Sequence, residues 1–465
     1  MIRAKPDMNL ESSAYMYAAH ALMVPAKPIR GWAIAATPGT METIARTLDN
    51  GLTVLLRPMP SAPAVSVWVG YKVGSRNERP GITGATHWVE HMLFKGGGKL
   101  KKGDIDAIVG RLGGKANGFT DTDFTIYFET LPPNHLETGL MIESERMRNA
   151  AFDPQETDAE RTVILSEREG AENSPKYLLA EELWHLAFHV HPYHWPVLGW
   201  RSDVERLTRD DLYAYYLQHY APNNAVLVLA GAFEPQDAMR KVEAYFGSLR
   251  SELPPPPLAV TEPTQEGERR ATVRRQGTQD HVMIGYRVPE LAHADTAALL
   301  VLQAVLGGWR GFSPFGSQFV SRSNRLYRGL VDAKLATEVS AQHRMQAAPG
   351  LFTIDATVRE GVDAANVEAA AVAEVEKLRE KPPTKAEMER ALRLLRAWQA
   401  YDLDGPTAQG LLYTWFEVVA SHRLLDDLLA RCQRVAAKDV RRVAGAYLGD
   451  RGRTVVTFLA GRDAA

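Results

Sequence analysis

Four consecutive prolines, residues 254–257, stand near the middle of this 465-residue chain, inside the stretch "RSELPPPPLAVTEPTQEGERR" at 250–270. Proline fixes its own φ and offers no N–H, so such a run fits neither a helix interior nor a central strand. The chain is therefore expected to fold as two near-equal halves. The reading is a tail over residues 1–40, a unit over 41–250, a linker over 251–271 and a second unit over 272–465.

The halves read as copies of one unit. "VWVGYKV" at 67–73 resembles "VMIGYRV" at 282–288, an offset of 215. Near the end of each half, "DDLYAYYLQHYAPNNAVLVLAG" at 210–231 resembles "KDVRRVAGAYLGDRGRTVVTFLAG" at 438–461. Each has a helix, a turn and a buried strand ending in Leu-Ala-Gly. The same order in both halves points to duplication.

Local patterns then set the fold class. "LTVLLRPM" and "AVSVWVGYKV" are β-rich runs, and "KANGFTDTDFTIYFETLP" reads as a hairpin. "KGDIDAIVGRL" reads as a helix that stops at Gly113 and Gly114. In "DPQETDAERTVILSEREGAEN", Asp153 suits an N-cap, Pro154 the first helical position, and Glu156 a capping box. This mixture predicts an α+β fold, with mostly antiparallel sheets and helices grouped on one side.

Composition narrows the function classes. Lys plus Arg number 54 against 56 Asp plus Glu, a net charge of −2. That balance leaves no electrostatic footprint for nucleic acid and no argument for a membrane surface. No apolar run approaches the length of a membrane span. The first 28 residues have early basic groups, but Glu11, Ser12, Ser13 and His20 break the apolar middle. They do not make a convincing signal peptide, which leaves a cytoplasmic or a periplasmic location open. Cys432 is the only cysteine. A zinc site would therefore be built from His, Asp or Glu.

One stretch suggests such a site. "ATHWVEHMLFKGG" at 85–97 reads H-x-x-E-H through His87, Glu90 and His91. On a helix the three side chains span an arc of only about 100°. Two imidazoles can grip one metal while the carboxylate reaches a water bound to it. Glu90 would take that water's proton and later pass one to a leaving amine. A catalytic zinc needs a third protein ligand. The helix after Asp153 offers Glu160 and Glu167, seven apart on one face, with Glu169 as a competitor, and spacing does not choose among them. His185, His189, His191 and His194 form a second tempting group, but the two prolines in "HPYHWPVLGW" rule out helical ligand spacing.

In order along the first half, "GATHWVEHMLFKGGGKL", "LGGKANGFTDTDFTIYFETLP", "ERTVILSERE" and "HPYHWPVLGW" resemble the landmarks of the pitrilysin/insulinase metallopeptidases. These inverzincins include mitochondrial processing peptidase and its bacterial relatives. The resemblance implies two α/β-roll domains per chain, paired halves enclosing a chamber for unfolded peptides, and one zinc ion per chain. It implies Glu167 as the third ligand and Glu160 as the residue that orients ligands or water. It places Asn117 and Gly118 on an edge strand that binds substrate, with Gly118 where alanine is commoner. It makes the histidine-rich loop part of the chamber wall.

The second half departs from this pattern. At the offset of 215, His87, Glu90 and His91 correspond to Leu302, Val305 and Leu306. In "GLVDAKLATEV" at 329–339, Val331 and Thr337 stand where the resemblance implies an arginine and a tyrosine, and Tyr327 and Arg328 are out of register. The expectation is a zinc-dependent endopeptidase subunit that forms a heterodimer with a homologous non-zinc chain supplying that pair. The alternative is a non-catalytic structural or peptide-binding subunit of the same fold.

Overall fold

The computed structural model describes residues 42–308, 311 and 322–461. The expected tail over residues 1–40 lies outside the described residues. The first sheet contains β1 (Ile44–Thr47), β2 (Thr53–Pro58), β3 (Val65–Tyr71), β4 (Lys115–Thr120), β5 (Thr125–Leu131) and β6 (Ala225–Gly231), in the order β1-β2-β6-β3-β5-β4. The second contains β7 (Arg269–Gln276), β8 (His281–Val288), β9 (Ala336–His343), β10 (Gly350–Val358) and β11 (Arg453–Gly461), in the order β7-β11-β8-β10-β9.

Without β1 the two orders correspond strand for strand. The directions correspond as well. β2 runs parallel to β6 and β7 to β11, and the remaining neighbours are antiparallel. The likeness of short motifs therefore extends to whole-sheet topology, an α+β fold of two homologous units.

Alternation along β3 divides its side chains between two cores. Val65, Val67 and Val69 join the core of the first half's own helices, including α1 (Ala85–Met92), α2 (Asp104–Arg111) and α3 (Leu136–Arg148). Trp68 faces the other way, into a core made mostly by the second half. The helix covering that face is Pro406–Val419, which packs on β2, β3, β5 and β6. The second sheet is covered in return. Two further first-half helices are α4 (Pro154–Glu172) and α5 (Pro175–Ala187), and α5 packs on β7, β8 and β11. Each half thus closes the open face of the other's sheet.

This exchange explains the glycine shared by the two V-x-x-G-Y stretches. A Cβ on Gly70 would lie 2.6 Å from Thr414 Cγ2 and 2.8 Å from Val418 Cγ2, both on the crossing helix. A Cβ on its counterpart Gly285 would lie 3.2 Å from Leu183 Cδ2 on α5. Both glycines sit where the other half's helix approaches the sheet.

Residues 251–268 form neither helix nor strand. Glu262 anchors this segment by accepting the N–H groups of His189, Val190 and His191, each at 2.8 Å. Burial pushes its carboxyl upward, but those bonds and Arg287 hold it at about 2. Asp153 caps α4 as expected, accepting from the N–H groups of Gln155 and Glu156 at 2.9 and 3.1 Å. The expected capping box does not close. The Glu156 carboxylate turns to Lys102 Nζ at 2.7 Å, because a charged donor outcompetes a backbone N–H. Among the described residues no helix is long and apolar enough to cross a membrane.

Candidate metal centre

Helix α1 starts after Gly84, whose φ of 89° suits glycine. The Glu78 carboxylate accepts the N–H groups of Gly84 and Thr86, both at 2.8 Å, and so satisfies the buried helix start. Burial pushes that carboxyl up to about 8, while the two N–H donors pull it down. The helix then runs into the interior, leaving His87 7% and Glu90 8% exposed.

Helix α4 packs against α1 and brings Glu160 and Glu167 to it from one face. The Nε2 atoms of His87 and His91 face each other 3.2 Å apart. Glu167 Oε2 lies 3.7 Å from the first and 3.6 Å from the second. A point equidistant from these three atoms lies about 2.0 Å from each, which matches zinc's bonds to nitrogen and oxygen. Among the described residues, this is the one group of three or more His, Cys, Asp or Glu side chains whose ligand atoms all fall within 4.8 Å of one another. Two imidazoles and a carboxylate fit a divalent metal and leave a further coordination position open.

Glu160 meets the other side of His91, with Oε1 2.8 Å from Nδ1. Its Oε2 lies 2.5 Å from Lys95 Nζ. A carboxylate at Nδ1 fixes the ring and directs the Nε2 lone pair toward the centre. Burial works against protonation of His91, but the bond to Glu160 and the charges of Glu167 and Glu90 outweigh it and raise the pKa. Glu160 is held low despite burial by its bonds to His91 and Lys95. Burial, with His91 beside it, holds His87 well below the usual imidazole range. Its Nδ1 has no hydrogen-bond partner among the described residues.

Glu90 has one oxygen engaged. Its Oε2 accepts from the Thr120 hydroxyl at 2.7 Å. Burial raises the carboxyl above its ordinary range, opposed by His91 and by Thr120. The sequence reading did not single out Thr120. Its only signal there was its place at the end of "KANGFT".

Strand β4 forms the edge of its sheet. On it Asn117 is half-buried, and its Oδ1 accepts the N–H of Gly118 at 2.9 Å. A Cβ on Gly118 would fall 2.7 Å from Tyr127 Cδ1 and 3.0 Å from Phe94 Cε2. The departure from alanine thus has a local reason, since two rings already fill the space.

The competing candidates lie elsewhere. Glu169 is 57% exposed and pairs with Arg201 at 2.9 Å. In the histidine-rich loop, His191 Nδ1 accepts the N–H of Tyr193, while the His185 ring, on α5, packs against Trp200 and His194. These histidines do not converge on one point. Val331 lies in a short helical turn, Tyr327–Asp332, and Thr337 lies on β9.

Two family models match successive parts of the chain. Residues 53–199 match the family model described as insulinase, peptidase family M16. Residues 206–395 match the one described as the peptidase M16 inactive domain. The chain is 31% identical over 416 residues to the zinc protease PqqE of Helicobacter pylori, covering 88% of this chain and 91% of that one. It is 25% identical over 435 residues to the mitochondrial-processing peptidase subunit beta of Lentinula edodes, covering 92% of each. The crystal structure of a protease from Helicobacter pylori superposes with a TM-score of 0.85 at 30% identity, covering 90% of this chain and 99% of that one.

Proposed function

This chain belongs to the insulinase/pitrilysin family of M16 peptidases, and from that premise we propose that it is the metal-bearing subunit of a zinc-dependent endopeptidase. Its substrates would be peptides or unfolded segments held in a closed chamber. The observation that carries the reading is the convergence of His87, His91 and Glu167 on one point, with Glu90 a helical turn away.

In this reading His87 Nε2, His91 Nε2 and Glu167 Oε2 hold the ion. When bound, zinc lowers the pKa of a water to about 7 and polarises a carbonyl. The Thr120 hydroxyl donates to Glu90 Oε2 and so orients the carboxylate that would receive a proton from a metal-bound water. From there the proton passes to the leaving amine nitrogen. Glu160 and Lys95 keep the His91 ring aligned. Along Asn117 and Gly118 an extended peptide adds to the edge of β4 through main-chain hydrogen bonds, which suits substrates of many sequences. The donor set also admits other divalent ions, and zinc is favoured by the naming of relatives as zinc proteases.

Among the described residues the second half bears no counterpart of the metal site, and Val331 and Thr337 stand where an arginine and a tyrosine are implied. A relative is named as the beta subunit of a processing peptidase, which supports a heterodimer here. The test is to purify the chain alone and with its homologous partner, then measure bound zinc and chelator-sensitive cleavage of an unstructured peptide pool. Expected are zinc in both samples and full turnover only in the pair. Glu90→Gln retaining zinc and cleaving at the wild-type rate would overturn the mechanism. Full activity from the single chain would overturn the heterodimer.

A further inference from the structure

We infer that the metal-free half takes part in the reaction by holding Glu90 in place, through a latch between the β4–β5 loop and the β9–β10 loop. The inference rests on the reading of Glu90 as the base. The link begins at Thr120, whose hydroxyl donates to Glu90 Oε2 at 2.7 Å. Thr120 is the last residue of β4, and the second half grips each of the next three residues. Arg344 Nη2 donates to both carboxylate oxygens of Asp121, at 2.7 and 2.9 Å. Gln346 Nε2 donates to Thr122 Oγ1 at 3.0 Å. The N–H of Ala347 donates to Asp123 Oδ2 at 3.1 Å.

First-half groups complete the fastening. Asp123 Oδ1 accepts from the Tyr193 hydroxyl at 2.6 Å and pairs with Arg76 at 2.8 Å. The Tyr193 oxygen in turn accepts the N–H of Ala348 at 3.2 Å. Backbone N–H groups of Ser75 and Arg76 donate to the carbonyls of Asp121 and Thr122 at 3.2 and 3.0 Å.

Adhesion between the halves is the simpler account of these contacts, but burial and position argue for more. Thr122, Asp123 and Gln346 are 8%, 3% and 3% exposed, so water cannot readily replace a lost partner. The Asp121–Arg344 pair is also one residue from Thr120. A shift of a few tenths of an ångström there passes directly into the short bond that fixes Glu90, and catalytic geometry tolerates little displacement. A polar contact elsewhere lacks this property. Thr130 and Thr407 join the same two halves at 2.9 Å, but at the other end of the hairpin. Arg344 and Gln346 are therefore positioning residues that act through Asp121, Thr122 and Thr120.

A double-mutant cycle tests this in the zinc-loaded chain, assayed with its partner on the unstructured peptide pool. Arg344→Ala and Thr120→Val should each lower kcat about 10-fold, with KM and zinc content unchanged, since a hydrogen bond to a charged group is lost. The double variant should lose no more than the more damaging of the two single changes, because both cut one chain of contacts. Losses that multiply would overturn the latch. Arg344→Lys keeps the charge without the two-pronged contact and should fall between wild type and Arg344→Ala. Independently of activity, amide exchange over residues 121–124 should quicken in Arg344→Ala and stay unchanged in Thr407→Ala. Equal exchange in the two would overturn the latch as well. If Glu90→Gln cleaves as well as wild type, the peptidase reading falls and the latch with it. If Glu90→Gln is inactive and the cycle is additive, the latch alone falls.

Discussion

Helix α1 against α4, and helix Thr296–Leu306 against helix Lys385–Asp402, occupy corresponding places beside sheets of the same strand order. Both leading helices are buried, but with opposite chemistry. Leu302, Val305 and Leu306 are 0%, 4% and 0% exposed and belong to the apolar core. Their counterparts His87 and Glu90 are nearly as buried, at 7% and 8%. Full burial of a Leu or Val side chain stabilises by about 1.5–3 kcal/mol, whereas burying a charge without a partner is costly. The second half keeps that stabilisation, and the first gives it up to hold polar groups in a dry place. What makes this tolerable is partnership, since Glu160, Glu167, Lys95 and Thr120 each meet a site residue.

Substitutions that exchange the two chemistries should separate the halves most sharply. Glu90→Gln should lower kcat by roughly 10²–10⁴-fold while zinc content stays at the wild-type level, read by steady-state kinetics and elemental analysis. Val305→Glu, the matching change in the second half, should leave zinc content unchanged. It should cost about 1–3 kcal/mol of stability in urea unfolding, because it puts a carboxylate where Val305 packs in the apolar core. Glu160→Gln should weaken metal binding about 10–100-fold by competition with a chelator, through a looser His91 ring.

Smaller effects probe the exchanged helices and the buried histidines. Gly70→Ala meets Thr414 and Val418 and should destabilise by about 1–3 kcal/mol, and Gly285→Ala, with looser neighbours, by less. Equal losses would mean that the two crossings are not packed as differently as their distances suggest. Burial lowers His219, in the first half, and His343, in the second, to about 4. The unfolded imidazole titrates near 6.5, so below that pH the unfolded chain binds protons the folded one refuses. Each histidine's contribution is intact above about pH 6.5 and is lost as pH falls toward 4. Between pH 7 and pH 5 the loss should be about 1–2 kcal/mol per histidine, and smaller in His219→Leu or His343→Leu than in the wild type.

Much of this was legible in the sequence. The 3.6-residue period places His87, Glu90 and His91 on one face wherever that helix packs. The prolines at 254–257 and the paired V-x-x-G-Y stretches declare two repeated halves. Less legible were features that depend on a distant partner. Glu156 had the spacing of a capping box but met Lys102 instead. The shared glycines were visible as a repeat, yet their cause is a helix more than 100 residues away.

The third ligand marks the boundary between the two kinds of information. Spacing puts Glu160 and Glu167 on one face of α4 and makes them equivalent. Their difference arises only where α4 crosses α1, with one carboxylate at Nδ1 of His91 and the other opposite Nε2. Thr120 follows the same rule, since nothing local ties an edge-strand hydroxyl to a glutamate 30 residues earlier. Helical periodicity is a property of the backbone and is written in the sequence. Which atom meets which across two elements depends on how they cross, and the tertiary packing alone decided that.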